Sequence, residues 1–327
     1  MKNGSKKKRQ KKKQRSDTMK RLFVIGNGFD LHHNLQTGYN DFKKYLKLEE
    51  PEYFNFINNL MLKNNPYFDS NDWSEIETEL ICVMSIDYDG LLNEAIESSE
   101  KDMDRASYWN DIQFNAEYFN QDLPNFKKSF DEWIDTIDFS RAFVDENLVF
   151  TRDDHFLNFN YTKTLQNLYG IKESQVLHIH GENGTDKVFG QSEYYEDPLP
   201  LSNLTQEDYD NGIEDDWRIE EAKGILNSIP KTFYKDCEAI IEENRTFFDS
   251  LCEFDEIVFM GWKLGAQDIP YIEEILKNIS KQSKIRIVYY KDDMETCDFY
   301  DYHLHKASVS KRKVSYYTWE QVNLIFE

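Results

Sequence analysis

The sequence is poor in cysteine and has no long apolar run. Its four cysteines lie far apart and form no CxxC pair, which argues against a zinc ribbon and against a disulfide framework. No apolar run approaches the roughly 20 residues that a membrane helix needs, and the first twenty residues lack the apolar core of a signal peptide. We therefore expect a reduced, cytoplasmic protein.

Glycine and proline are also scarce, with 13 and 7 residues in a chain of 327. This content excludes a low-complexity chain. Aromatic residues, in contrast, make up 15% of the chain, so a packed interior is available. A chain of this length is long enough for one large domain or two ordinary ones.

Positive charge is concentrated in the first twenty residues, which hold ten Lys and Arg and one Asp. The remaining 307 residues hold 29 Lys and Arg against 60 Asp and Glu, a net charge of −31. Such an acidic body repels a phosphate backbone, so we expect at most a weak nucleic-acid contact, through the basic tail. We predict that residues 1–18 are a disordered tail, because blocks of like charge rarely fold. Met19 is interpreted as a natural start.

Short apolar runs alternate with helical patterns along the rest of the chain. This alternation predicts an α/β fold with a doubly wound parallel sheet. Val314–Tyr317 is expected to be an edge strand. The other predicted strands are Leu22–Ile25, His155–Asn158, Val176–Ile179, Val188–Gly190, Glu256–Met260 and Ile285–Tyr290.

Helical periodicity dominates from Tyr39 to about Trp133, where apolar residues recur at three- and four-residue spacing. Asp72 is a plausible N-cap for one of these helices. We interpret the region at about 39–140 as a helical subdomain inserted into a single domain of residues 19–327. A lid, an oligomer interface and a sensor are all open as its role.

A glycine turn follows the first strand directly. In the segment Gly26-Asn27-Gly28-Phe29-Asp30, a GxG pattern lets the backbone turn sharply and approach a phosphate, which a Cβ atom would block. The third glycine of the dinucleotide fingerprint is absent, since position 31 is Leu. A purely structural turn is the alternative.

Polar residues follow two further predicted strands. Asn160 can order a water or a ribose hydroxyl through its donor and its acceptor, and the alternative is a helix cap. After a late strand, Gly261 lets the backbone come close to a nucleotide, and Asp268 can receive a ribose hydroxyl. The alternative for Asp268 is the N-cap of the helix that follows.

Two histidines, His178 and His180, lie at i and i+2 on a predicted strand and should point the same way. A metal pair, a catalytic histidine and core histidines are three possible interpretations. A metal pair needs further ligands and cysteine is scarce nearby, so we expect no metal. A second HxH pair, His303 and His305, lies in a polar stretch and is predicted to be on the surface.

The order of these features resembles the sirtuin fold. Sirtuins have a glycine turn of the form GAGxS, an Asn in TQNxD, a catalytic His followed by Gly, and a late GTSL loop. The matching residues here are Gly26 and Gly28, Asn160, His180 with Gly181, and Gly261 with Leu264. The four-cysteine zinc module of protein deacetylases is missing. The resemblance therefore implies NAD hydrolysis, as in sirtuin-like phage-defence proteins, rather than peptide deacetylation.

Five segments follow one another between Met19 and about Tyr290: GNGFDLHHNLQTGYNDF, DWSEIETEL, NFNYTKTL, LHIHG and GWKLGAQDIPY. Together they resemble the bacteriophage abortive-infection AbiH family. Two departures stand out. This chain has Trp262 and Lys263 where the family commonly has His-Ser, and Thr162 where sirtuins have the ribose-loop Asp.

These resemblances imply antiphage defence, with NAD as a substrate that is hydrolysed to nicotinamide and ADP-ribose. Asn160 would position the water or the ribose, and His180 would act as general base, a role suited to a pKa near neutrality. The residues expected to bind the nucleotide are Gly26, Asn27, Gly28, Asp30, Gly181, Gly261 and Asp268. A phage trigger or partner protein and a homo-oligomer are also expected, and contact with a membrane is not.

Two other functions stay open. The pocket could sense a nucleotide without chemistry, as a non-catalytic defence module. The chain could also be a toxin directed at nucleic acid, although only the basic tail supports this, because the acidic body lacks a clustered metal-carboxylate motif.

Overall fold

The computed structural model describes residues 19–100, 113–114, 116–117, 125–192, 195–202, 204–205, 207, 210–212, 216–263, 265–291 and 293–326. The predicted tail, residues 1–18, lies outside these ranges, as does Leu264. Within the described ranges, no helix combines the length and the apolar character that crossing a membrane requires.

In the described part of the chain, six parallel strands form one open sheet in the order β3-β2-β1-β4-β5-β6. This is the strand order of the Rossmann dinucleotide-binding fold. The predicted α/β fold with a parallel sheet is confirmed, and so is the edge position of the last strand. The strands are β1 (Arg21–Ile25), β2 (His155–Asn158), β3 (Val176–His178), β4 (Glu256–Met260), β5 (Lys284–Tyr289) and β6 (Val314–Thr318).

The prediction of a strand at Val188–Gly190 is wrong. The segment lies outside the sheet and leads into Gln191, which makes an isolated bridge with Tyr234. A Cβ atom on Gly190 would lie 2.2 Å from the carbonyl oxygen of Phe233. The backbone here therefore packs closely against the end of a helix rather than alongside a strand.

Helices occupy most of the remaining described chain. Those before β2 are α1 (Asn27–His32), α2 (Tyr39–Glu49), α3 (Pro51–Asn64), α4 (Ile76–Glu79), α5 (Tyr88–Glu100) and α6 (125–135). Those after β2 are α7 (Thr164–Tyr169), α8 (Trp217–Thr232), α9 (Cys237–Glu243), α10 (Arg245–Asp249), α11 (Ile269–Asn278) and α12 (Met294–Lys306).

Apolar side chains cover both faces of the sheet. Because side chains alternate along a strand, β1 sends Leu22 and Val24 to one face and Phe23 and Ile25 to the other, and all four are fully buried. The first face packs against α9 to α12, and the second packs against α1, α7 and the segment 319–325. Burial on both faces explains why β1 and β4 are continuous apolar runs after their first residues, Arg21 and Glu256.

The residues between β1 and β2 have an apolar core of their own, rich in aromatic rings such as Phe42, Trp73 and Phe130. We call the described residues between 39 and 135 the helical block. Helix α8, which follows β3 in the chain, also packs into this core. The predicted N-cap at Asp72 is wrong: its carboxylate accepts from the Ser74 amide at 2.9 Å, and α4 begins only at Ile76.

The strand register places four strand ends side by side. Ile25 of β1 pairs with Asn158 of β2 and with Met260 of β4, and Asn158 pairs with His178 of β3. The segments that follow these strands therefore all begin at the carboxyl edge of the sheet. The order of the strands reverses between β1 and β4, which is where Rossmann-type sheets bind their ligands.

Candidate functional site

A cavity of about 400 Å³ opens at this carboxyl edge, between the strand ends and the helical block. Its volume lies in the range typical of small-molecule sites. Eight of the nine residues predicted to form the site line it: Gly26, Asn27, Gly28, Asp30, Asn160, His180, Gly261 and Asp268. Gly181 does not line the cavity; its φ of +83° and the carbonyl of Asp186, 2.4 Å from an added Cβ, give it a structural role in a turn.

The glycine turn after β1 packs against the loop after β4. A Cβ atom on Gly26 would lie 2.4 Å from the Cα of Trp262, and one on Gly28 would lie 2.7 Å from the carbonyl oxygen of Gly261. The Gly28 amide donates to that same oxygen at 2.7 Å, and the Phe29 amide donates to the Gly26 carbonyl at 2.9 Å. Close loop packing therefore accounts for both glycines, and these two amides are already engaged.

Asn27, at the start of α1, is hydrogen-bonded to Thr37 by two bonds. Its side-chain amide donates to the Thr37 carbonyl at 2.9 Å, and its carbonyl accepts from the Thr37 hydroxyl at 2.6 Å. The two bonds fix the start of the helical block against the strand ends.

Asn160 joins the ends of β1 and β2. Its side-chain amide donates to the Gly26 carbonyl at 3.1 Å, and its backbone amide donates to the Asn158 side chain at 3.1 Å. Helix α7 begins at Thr164, with Lys163 at its N-cap position. Asn160 is thus a buried cavity residue and not the cap of that helix.

Asp30 is a buried carboxyl on α1, 1% exposed. Its Oδ2 accepts from the Thr162 hydroxyl at 2.5 Å. Its Oδ1 is buried and has no hydrogen-bond partner among the described residues. Burial raises the pKa of Asp30 to about 6, although the bond from Thr162 and the nearby polar side chains of Thr164 and Asn160 oppose the shift.

His180 lies in the cavity wall, and its Nε2 is 3.2 Å from the hydroxyl of Tyr271. Burial, helped by the charge of Lys235, holds the pKa of His180 well below its usual value. The ring is therefore neutral at pH 7. Rings of Phe159 and Tyr271 pack edge-on against it, with centroids 5.2 and 5.3 Å away.

His178 has different surroundings. Since β3 ends at His178, the alternation that predicted parallel side chains does not extend to His180. The His178 ring lies 3.2 Å from the Asn160 carbonyl and 3.2 Å from the Glu182 carboxylate. Its ligand atom and those of Glu173 and Glu182 lie within 4.8 Å of one another, but Lys163 forms ion pairs with both carboxylates.

The second HxH pair differs from its prediction. His303 is buried on α12, whereas His305 is exposed. The two positions are on a helix, and two residues along a helix turn the side chain to another face. Only His305 is on the surface.

Sequence reasoning missed an ion network of Glu77, Lys235 and Asp268. The Lys235 ammonium lies 3.1 Å from Asp268 Oδ1 and 4.0 Å from Glu77 Oε1, and Lys235 is 1% exposed. Burial lowers the pKa of Lys235, but the two carboxylates outweigh it and raise the pKa overall. Burial raises the pKa of Glu77 although Lys235 opposes the shift.

Every carboxylate oxygen of the ion network has a partner. Asp268 Oδ2 accepts from the Trp262 indole at 3.2 Å. Glu77 accepts from the Tyr39 hydroxyl at 2.5 Å and from the Gly190 amide at 3.3 Å. Asp268 occupies the N-cap position of α11, as the predicted alternative has it, but its side chain makes no cap bond and pairs with Lys235 instead. The only sequence signal for Glu77 is its place in the DWSEIETEL segment.

Aromatic rings form the apolar wall of the cavity. The rings of Phe159 and Trp262 stack with centroids 4.3 Å apart, and Phe130, Trp133 and Tyr161 line the same space. Flat apolar walls of this kind bind planar rings by stacking. The cavity thus combines aromatic faces with buried carboxyl groups.

Residues 22–290 match the family described as bacteriophage abortive infection AbiH. No curated protein and no solved structure matches the chain. The match covers most of the chain and all the elements that line the cavity from β1 to β5. The chain belongs to the AbiH family, and its role is in abortive-infection defence against bacteriophage.

Proposed function

We propose that this member of the AbiH family hydrolyses NAD to nicotinamide and ADP-ribose when a phage infects the cell. One observation carries the proposal. Asp30, Asn160 and His180, which follow three neighbouring strands, line a single cavity at the point where the strand order reverses. Sheets of this order bind nucleotides there.

The chemistry of the cavity suits the nicotinamide end of NAD. That ring is planar and positively charged, so it can stack on aromatic faces and is attracted by carboxylates. Aromatic rings that line the cavity, among them Trp133 and Tyr161, supply the faces. Asp30, Glu77 and Asp268 supply three buried carboxyl groups, and the buried ammonium of Lys235 pairs with two of them.

Cleavage breaks the bond between the ribose C1′ and the nicotinamide nitrogen, which takes the electron pair and becomes neutral. The oxygen of a water forms the new bond to C1′, and a proton from that water passes to a base. Because the ribose becomes oxocarbenium-like, nearby carboxylates stabilise the transition state. Asn160 holds the ribose or the water, and neutral His180 accepts a hydrogen bond or the proton.

The phosphates of NAD have less support from the glycine turn than the sequence suggested, because two of its amides are engaged within the protein. The cavity rim offers the exposed ammonium of Lys263, which lies 2.6 Å from Glu75. We place the pyrophosphate at this rim, between the Lys263 ammonium and the backbone amide of Asn27.

Nucleotide sensing without chemistry is a second candidate. The observation in its favour is that Glu77 and Asp268 are fully engaged by protein partners. A site for binding alone needs no carboxylate with a free oxygen. Under this alternative NAD would bind and remain intact.

The test follows nicotinamide release by chromatography from NAD incubated with purified protein, with and without extract of phage-infected cells. We expect release by the wild type and a loss of at least about 100-fold for Asn160→Ala and His180→Ala. The control is His305→Ala, which removes an exposed imidazole outside the cavity. NAD should also fall in infected cells with the wild type.

Three outcomes separate the candidates. Thermal stabilisation by NAD without nicotinamide release, in extract or in infected cells, would favour sensing. Full activity of either cavity variant would contradict the assignment of its residue. Stabilisation by nucleic acid alone would favour a toxin that acts on nucleic acid.

A further inference from the structure

Among the charged groups that line the cavity, Asp30 stands out because one of its carboxylate oxygens has no hydrogen-bond partner among the described residues. Asp30 is 1% exposed, and its Oδ1 has no hydrogen-bond partner in the part of the chain that the structure describes. Its other oxygen is held by the Thr162 hydroxyl at 2.5 Å, and the Thr164 hydroxyl supports Thr162 at 2.9 Å. One oxygen is therefore fixed, while the other is buried without a partner in a residue that lines the cavity.

A buried carboxyl of this kind needs an explanation. A buried acceptor left without a partner destabilises the fold, and more so if it is charged, and such groups are often retained for function. The Asp30 side chain is not part of the ion network, and packing alone does not require an acid at this position. Its free oxygen suits a ligand that donates a proton or a hydrogen bond.

We propose that Asp30 is the proton acceptor that activates the attacking water, and that His180 is a positioning residue. This inference rests on the proposed hydrolysis of NAD. The water oxygen bonds to C1′ as the nicotinamide leaves with the electron pair of the broken bond. The water proton passes to Asp30 Oδ1 and is then released to solvent, so the products are nicotinamide, ADP-ribose and one proton.

Two properties separate Asp30 from His180. The Nε2 atom of His180 is already engaged with the Tyr271 hydroxyl at 3.2 Å, and burial and Lys235 keep its pKa well below the usual value. A base with so low a pKa accepts a proton weakly. The pKa of Asp30, raised to about 6 by burial, makes it ionised at pH 7 and still basic enough to take a proton.

Other titratable groups face the same cavity from every surrounding element. They are Tyr39, Glu75 and Glu77 of the helical block, Tyr161 after β2, His180 after β3, Lys263 and Asp268 after β4, and Tyr289, Tyr290 and Asp293 around the end of β5. Lys235 lies behind Asp268. A pH profile of the wild type alone therefore cannot be assigned to Asp30, and variants at Asp30 and Thr162 are needed.

The experiment measures nicotinamide release between pH 5 and 8 for the wild type, Asp30→Asn and Thr162→Val. We expect the wild-type rate to rise with pH through a midpoint of about 6 and then to level off, because only the ionised carboxyl is a base. Asp30→Asn should lose at least about 100-fold, lose this pH dependence, and still be stabilised by NAD in a thermal shift. Asp138→Asn, an exposed carboxyl outside the cavity, should match the wild type.

Thr162→Val keeps the proposal testable if Asp30→Asn fails to fold. Loss of the hydroxyl removes a bond that lowers the pKa of Asp30, so the midpoint of the rate profile should move to higher pH while the plateau is largely kept. Thr162→Ser should restore the wild-type midpoint. A merely structural role for Thr162 would lower the rate equally at all pH values.

The two proposals fail in different ways. If the wild type releases nicotinamide and Asp30→Asn does so within about threefold, the assignment of Asp30 is wrong and NAD hydrolysis stands. An unmoved midpoint in Thr162→Val would also overturn it. If the wild type releases no nicotinamide with infected-cell extract or in infected cells, the proposed function is wrong and the inference falls with it.

Discussion

Two groups of polar side chains face the same cavity and differ in how completely they are paired. In the ion network of Glu77, Lys235 and Asp268, each carboxylate oxygen has a partner within the protein. At the strand ends, Asp30 Oδ1 has none among the described residues. Removing one partner of a buried ion pair is strongly destabilising, whereas a buried acceptor that has no partner costs stability as it stands and is available to a ligand.

The two groups also differ in what they connect. The ion network joins the helical block, the chain after α8 and the loop after β4, because its three members come from these three regions. The strand-end residues, Asp30, Asn160 and His180, all follow parallel strands of one sheet. We expect a mutation in the network to act on stability, and a mutation at the strand ends to act on chemistry.

Lys235→Met should have the largest effect on stability. It leaves the Glu77 and Asp268 carboxylates close together without their cation, and breaking a buried ion pair on one side costs about 3–5 kcal/mol. Urea unfolding at pH 7 measures the loss. Lys231→Met, which removes an exposed ammonium on α8, is the control. A loss below about 1 kcal/mol for Lys235→Met would show that the network does not hold the block to the sheet.

Asp30→Asn should change the free energy of unfolding in the opposite direction from Lys235→Met. We expect it to stabilise the protein at pH 7. The folded pKa of about 6 lies above the unfolded value of about 3.9, so between these values the folded state binds more protons. Stability therefore falls as pH rises through this window, and the penalty, roughly 3 kcal/mol, is complete above pH 6.

The check is the difference in unfolding free energy between Asp30→Asn and the wild type at pH 7.5 and at pH 4. We expect a gain at the higher pH that largely disappears at the lower one. If the difference in unfolding free energy were the same at pH 7.5 and at pH 4, the Asp30 carboxylate would not be a buried charge in the folded protein. The contrast with the ion network would then be lost.

The strand-end group could be predicted from the sequence, and the ion network could not. Apolar runs that end in Gly26, Asn158 and Gly261 mark strand ends, and parallel strands bring such ends to one edge. Glu77 and Lys235 are 158 positions apart in the numbering and lie in helical sequence or next to it, where acidic and basic residues are usually exposed. Only the packing of α8 onto the helical block brings them together.

The glycine turn shows a second limit on what the sequence can predict. A GxG pattern after a strand signals that a Cβ atom does not fit, but it does not say what fills the space. In this chain the space beside Gly26 and Gly28 holds Gly261 and Trp262. Close approach of another backbone segment and close approach of a phosphate both require a residue without a Cβ atom. The sequence alone therefore cannot distinguish the two.

Gly261→Ala tests whether this loop contact supports the strand-end group. Gly261 and Gly170 share a φ of +63°, but a Cβ on Gly261 would lie 2.5 Å from the Phe29 amide, while a Cβ on Gly170 would meet nothing within 4 Å. Both alanine variants pay the cost of the left-handed backbone, about 1–2 kcal/mol. Gly261→Ala should lose about 1–3 kcal/mol more through overpacking.

The measurement is the difference in unfolding free energy between these two variants, which cancels the shared backbone cost. Gly261→Ala should also reduce binding of NAD, because Gly28 and Asp30 lie on the turn that it displaces. Equal losses for the two variants would mean that the loops adjust freely, and that the strand-end group is not held by their contact.

Lys263→Ala should have the smallest effect and sets the scale for the first prediction. Its ammonium lies 2.6 Å from Glu75, closer than Lys235 lies to Asp268, but the Lys263 side chain is 62% exposed and that of Lys235 is fully buried. Exposed pairs contribute roughly 0–1 kcal/mol and weaken in salt, so the loss should stay within this range and shrink further in about 0.5 M NaCl. If distance determined the strength of the two ion pairs, Lys263→Ala would lower the unfolding free energy at least as much as Lys235→Met.

A loss of unfolding free energy as large as that of Lys235→Met would mean that burial is not what distinguishes the ion network from the exposed ion pair at the rim of the same cavity.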